Sequence, residues 1–140
     1  MDWNYLYTSF DGRINRKPYW IANLILIACG MAVQVFILFA LGMFAGLVFS
    51  LVWTYPAFAL NLKRAHDRNR PTWVIALLFG LLVLINLLQI FGLDRVGNEP
   101  TTPFLFIAIP WLVLALFFFV DLGFLRGTVG PNRFGPDPLA

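Results

Sequence analysis

Five charged side chains and one imidazole gather in the stretch Asn61 to Trp73: Lys63, Arg64, His66, Asp67, Arg68 and Arg70. These residue types suit two kinds of chemistry. A histidine near a carboxylate can move a proton, which makes His66, Asp67 and, further along the chain, Asp121 the acid/base candidates. Guanidinium and ammonium groups hold phosphate by forked or point-charge contacts. Adjacent residues do not face one another, since on a helix they point about 100° apart. His66 therefore needs a carboxylate from elsewhere, such as Asp11, Asp121 or Asp137, and Asp67 is expected to pair with Arg64 or Arg70. Asp121 is expected to pair with Arg126, Arg64 or Arg13. A third use of the cluster is structural, as an ion-pair network locking a loop to the C-terminal tail.

The elements that must carry these groups are almost pure hydrocarbon. The chain is 60% hydrophobic and only 12% charged over 140 residues, against about 25% charged in soluble domains. One core cannot bury that much apolar surface, so the remaining solvent is lipid. After Tyr19, up to Leu62, only the Cys29 thiol and the Tyr55 phenol ionise. A span needs about 20 apolar residues, so this run is two spans. The first is too long for a signal-peptide core and is expected to stay as a span. The fold expected is an all-α membrane protein, a four-transmembrane-helix bundle in one integral membrane domain over 1–140. Its spans run roughly 19–41, 44–62, 72–93 and 103–125.

A short interfacial helix is expected before them, because Trp3, Leu6, Tyr7 and Phe10 fall at helical spacing. Pro18 is expected at the first position of the first span, with Lys17 pushed out of helical geometry. Gly42 and Gly46 allow a tight turn between the first two spans, and Pro56 is expected to kink the second. The tail, GTVGPNRFGPDPLA, reads as irregular turns. Cys29 reads as a small buried hydrophobe. With one Cys and one His no metal site is expected, nor any cofactor. Gln34, Asn86 and Gln89 read as interhelical hydrogen-bonding groups.

With the N-terminus inside, nine of the ten basic residues fall on the inner side and only Arg95 outside. The positive-inside rule then places both termini in the cytoplasm. The net charge of +3 is read as topology, so nucleic acid is not an expected partner.

Orientation alone needs neither His66 nor Trp73, nor three spaced segments on one face. FDGRINRKPYW holds Phe10, Gly12, Arg13, Arg16, Tyr19 and Trp20. KRAHDRNRPTW holds Lys63, Arg64, His66, Asp67 and Trp73. GPNRFGPDP holds Gly130, Asn132, Phe134, Gly135, Asp137 and Pro138. In these motifs, in this order and over nearly its whole length, the chain resembles the bacterial inner-membrane proteins of domain of unknown function 805. It departs from that pattern in Lys63, where arginine is usual, and in Asn69, Pro71 and Thr72, which replace a Gly/Ser-rich loop. The resemblance implies a multi-pass protein of the bacterial inner membrane and no particular activity.

The candidate cluster, for lipid or anion binding or as a structural lock, is Arg13, Arg16, Arg64, His66, Asp67, Arg68, Trp73, Asn132, Arg133 and Asp137. Three readings stay open. A non-enzymatic protein would bind anionic phospholipid headgroups, or a membrane protein partner or second copy, on its basic face. An enzyme would act on a lipid headgroup or phosphate through His66, an aspartate and the arginines. An oligomeric transporter or channel is the third.

Overall fold

The computed structural model describes residues 2–139. The elements are α1 (Trp3–Thr8), α2 (Arg16–Leu41), α3 (Met43–Asp67), α4 (Thr72–Ile90), β1 (Arg95–Val96), β2 (Glu99–Pro100) and α5 (Thr102–Gly123). Helices α2 to α5 are each long and apolar enough to cross a membrane. They run up and down, joined by short connections. One residue, Gly42, turns α2 into α3 at φ 86°, a conformation that a side chain would disfavour. Helix α3 is central and packs on α1, α2 and α4, while α5 leans chiefly on α4.

The tightly packed core lies at one end of the bundle. It is built from Leu6, Ile14, Tyr19, Ala22, Leu60, Leu62, Ala65, Ile75, Leu78, Phe118 and Leu122. These come from the starts of α2 and α4, the ends of α3 and α5, and the N-terminal segment. At the far end Phe39 is 90% exposed and Met43 74% exposed, the surface that a hydrocarbon solvent would cover. Cys29 is exposed for the same reason: it sits on an outward face of α2, not in a core.

Several local expectations are corrected. Asn15 caps α2, its side chain accepting from the Lys17 amide. Lys17 is therefore helical and Pro18 sits at the third helical position. A first-turn proline meets no helical carbonyl four residues back, so it disturbs nothing there. Phe10 lies outside α1, which ends at Thr8 with Ser9 as its cap. The stretch Lys63 to Asp67 is not a loop but the last turns of α3.

Helix α3 stops in a Schellman turn. The Arg70 amide donates to Ala65 O at 2.8 Å and the Asn69 amide to His66 O at 2.9 Å, with Asn69 at φ 56°, one of the few non-glycine types that tolerate it. The connection before α5 forms a two-residue antiparallel ladder, Arg95 opposite Pro100. Among the described residues no helix follows α5, and an isolated antiparallel bridge joins Asn132 and Gly135.

Candidate functional site

Helical spacing fans the charged residues of α3 in different directions. Lys63 points towards α1, where its ammonium donates to Tyr5 O at 2.6 Å and lies 4.9 Å from the Tyr5 ring centre. Arg64, fully buried, points to the end of α5. Its Nε donates to Leu122 O at 2.7 Å and an Nη to Leu125 O at 2.6 Å, and it pairs with Asp67 three residues on. Asp67 also accepts from Arg13 Nη2 at 3.1 Å. One buried carboxylate thus sits between two guanidinium groups.

Arg13 ties in the tail. It donates to Thr128 O at 2.7 Å, Gly130 O at 2.8 Å and Gly135 O at 3.2 Å. The Thr128 hydroxyl donates to Asp67 O at 2.9 Å and accepts from Asn132 Nδ2 at 2.8 Å. Asn132 also donates to His66 O at 2.9 Å. Asp137 forms no ion pair among the described residues. It accepts backbone amides of Gly130 at 2.7 Å and Leu139 at 3.0 Å. The Leu139 amide, then that of Gly130, holds its carboxyl below the usual range. A Cβ on Gly127 would stand 2.0 Å from an Asp67 oxygen, so only glycine lets the tail pass here.

His66 meets no carboxylate among the described residues. Its ring stacks on Phe134 with centres 3.9 Å apart and planes 6° apart, and the Arg133 guanidinium lies 4.6 Å from the Phe134 ring centre. Nδ1 lies 3.2 Å from Gly12 O and Nε2 lies 3.1 Å from the Thr72 hydroxyl. A carbonyl only accepts, so Nδ1 carries the proton and the neutral ring accepts at Nε2. Both nitrogens are engaged within the chain, and the aspartate beside His66 in sequence faces Arg13 and Arg64.

Asp121 also departs from expectation. Its partners are Arg70, with Nη2 at 2.8 Å, and Arg68, with Nη2 at 3.0 Å, not Arg126, Arg64 or Arg13. The Schellman turn folds Arg68 and Arg70 back over the end of α5. Arg70, in contact with Asp121, has its pKa raised by that hydrogen bond. Trp73 stays outside the cluster and is 66% exposed. Its neighbour Thr72 faces His66, and the helix turns the indole away by about 100°.

One pattern unites these contacts. The last turn of a helix leaves carbonyls without partners. Around the end of α5, five consecutive carbonyls find side-chain donors from α2, from α3 and from its cap residue Arg68. Arg64 serves Leu122, Trp20 serves Gly123 at 2.9 Å, Arg16 serves Phe124 at 3.0 Å, Arg64 serves Leu125, and Arg68 serves Arg126. The cations also suit the negative end of the helix dipole. Most of the arginines are thus consumed inside the protein.

Beside this lock lies an open polar cleft of about 450 Å³. Arg16, Lys17 and Arg126 line it together with Asn15, Thr128 and Asp137. All three cations are exposed. Lys17 and Arg126 escape a reading for motifs, because neither belongs to one. Their only sequence signal is a positive charge just past a span end.

Elsewhere, Asn86 accepts from the Ser50 hydroxyl and donates to Leu82 O, a polar link between α3 and α4.

Comparison with known proteins agrees with these motifs. A family model described as protein of unknown function (DUF805) matches residues 7–136. Inner membrane protein YhaI of Escherichia coli (strain K12) is 33% identical over 94% of this chain and 87% of its own. Inner membrane protein YhaH of the same strain is 30% identical over 99% of this chain and 97% of its own. Uncharacterized protein YiiR, also of that strain, is 31% identical over 92% and 85%. No solved structure matches the chain.

Proposed function

The chain belongs to the DUF805 family of proteins of unknown function, and from that premise we propose that it is a multi-pass inner-membrane protein whose basic face binds the headgroup of an anionic phospholipid. Both termini face the cytoplasm in this reading, since nine of the ten Lys and Arg residues come from segments at the same end of the helices. Helix α1 lies in the interface, with Trp3 exposed at headgroup level.

The observation that carries the reading is the cleft at the start of α2. The buried arginines are spent on Asp67 and on backbone carbonyls, and what remains is a rim of cations around an open volume. Arg16 is engaged with Phe124 O, whereas the exposed Lys17 and Arg126 side chains have no hydrogen-bond or ion-pair partner among the described residues. At about 1 kcal/mol for each cation near an anionic headgroup, the two contribute about 2 kcal/mol, roughly thirtyfold in affinity. Such binding weakens as salt rises.

The test is native mass spectrometry of the protein released from vesicles of phosphatidylglycerol or phosphatidylcholine. Retained phosphatidylglycerol, lost in the Lys17→Gln/Arg126→Gln double variant, supports the reading. Equal retention of the two lipids, or indifference to the substitutions, refutes it. Orientation is tested on a Cys29→Ser background carrying Arg95→Cys or Arg133→Cys. An impermeant thiol reagent added outside the cell should label the first and spare the second.

A further inference from the structure

The cleft does not stand alone on its helix. Arg16, Trp20, Asn23, Ile27, Gly30 and Gln34 recur at alternating steps of four and three, which puts them on one face of α2. Arg16 lines the cleft. Trp20, Asn23 and Ile27 line a cavity of about 230 Å³ against α4 and α5. Asn23, Ile27, Gly30 and Gln34 line a third volume, a groove of about 530 Å³ between α2 and α3. The cavity and the groove share Asn23, Ile27 and Leu82, so they adjoin. Trp20 lines the cavity one turn from Arg16. It is fixed by its bond to Gly123 O and by edge contacts with Phe119 and Phe124.

Small residues shape the groove. Gly30 lets the Trp53 indole close against α2, since a Cβ there would stand 2.4 Å from Trp53 Nε1. Ala57 leaves the inner end wide. The walls are mostly hydrocarbon, with Asn23 at the inner end and Gln34 at the outer. From Trp20 to Gln34 the helix rises about 21 Å, longer than one leaflet of a hydrocarbon core about 30 Å thick. Lipid tails are as apolar as leucine, so selection of a chain here rests on fit along the groove and not on a hydrophobic gain.

We propose that cleft, cavity and groove form one lipid site, which takes a phosphate at Arg16, Lys17 and Arg126 and a single long hydrocarbon chain, acyl or polyprenyl, along the Trp20–Gln34 face of α2. This deepens the headgroup reading and rests on it. Chain length then becomes part of recognition, and the ligand is a long-chain anionic lipid held by both its ends.

The experiment compares retention of dioleoyl phosphatidylglycerol, a polyprenyl phosphate and the short-chain dihexanoyl phosphatidylglycerol by native mass spectrometry of the full chain. Ile27 lines both the cavity and the groove and is 51% exposed. Ile27→Trp therefore fills the junction without entering the packed core. It should lower retention of the long-chain lipids roughly tenfold and leave the short-chain lipid unchanged. Ile25→Trp, two positions before Ile27 and so on the opposite side of α2, 41% exposed, should change neither. Whichever long-chain lipid displaces the other identifies the chain as acyl or polyprenyl.

Equal retention by Ile27→Trp and the unsubstituted protein overturns the groove. So does an equal loss in Ile25→Trp, which marks annular lipid only. If the Lys17→Gln/Arg126→Gln variant still abolishes binding while Ile27→Trp does nothing, the headgroup reading stands and the groove falls. If the cleft variant retains every lipid, the headgroup reading itself falls.

Discussion

Arg64→Met separates two ways in which a buried arginine can hold this fold together. The side chain pairs with Asp67 and also donates to Leu122 O and Leu125 O, at 2.7 and 2.6 Å. Methionine matches its volume and removes every donor. Asp67 would keep Arg13 as a partner, whereas the two carbonyls at the end of α5 would keep none of these bonds. Leaving a buried acceptor unsatisfied costs about 1–3 kcal/mol, and that cost falls mainly on Leu122, since Leu125 is 44% exposed.

Asp67→Asn removes the charge and spares those carbonyls. Thermal unfolding of both variants in one detergent should therefore show Arg64→Met to be the more destabilised by about 1–3 kcal/mol. Arg64→Lys should resemble Arg64→Met, because a point charge cannot serve two carbonyls and a carboxylate in the geometry of a planar fork. If Asp67→Asn proves as damaging as Arg64→Met, the charge pair and not the capping of α5 is what holds the end of the bundle, and the reasoning is wrong.

Other consequences are open to simpler assays. Gly127→Ala drives a methyl group against Asp67. It should cost about 1–3 kcal/mol and make the tail sensitive to limited proteolysis. Asp121→Asn deprives Arg68 and Arg70 of their carboxylate. Because Arg70 is 40% exposed, the loss should be small, about 1 kcal/mol, and should speed hydrogen exchange near Asn69 while leaving the Arg13 contacts protected. Asp137 is held below its ordinary pKa by the Leu139 and Gly130 amides. Its contribution is present above the unfolded value of about 3.9 and is lost as pH falls through the lower folded value. Tail protection should thus be flat from neutral pH down to mild acid and fail only below it, and Asp137→Asn should remove that acid step.

The four long helices were legible because uninterrupted apolar runs of span length have few alternatives. The meeting of Arg13, Arg64, Asp67 and Asn132 was legible too, because charged residues at the ends of such runs share one end of the bundle. Their pairing was not. The partners of Asp121 depend on the Schellman turn at Asn69, which swings Arg68 and Arg70 over α5. Asn69 is a permissive residue for that turn and does not dictate it. The stack of Phe134 on His66 joins residues from two distant segments, and no spacing rule connects them. The continuation of α3 to Asp67 was hidden by charge, which reads as loop wherever burial cannot be seen. Polar residues inside a packed end take their conformation from their partners, and those partners lie far away in sequence.

This division of the cations ties stability to the proposed ligand site. Arg16 belongs to both parts, since it donates to Phe124 O at 3.0 Å and lines the cleft. A headgroup phosphate that recruits Arg16 competes with a carbonyl for one face of its fork, and the guanidinium has donors enough for both. Lipid binding should therefore tighten the end of α5. Saturating phosphatidylglycerol should raise the unfolding temperature of the native chain in proportion to the logarithm of lipid concentration. In Arg16→Gln, the amide can still reach a carbonyl but carries no charge, so this rise should shrink while the melting point without lipid changes little. A large fall in the lipid-free melting point would instead place Arg16 wholly within the lock and leave the cleft to Lys17 and Arg126.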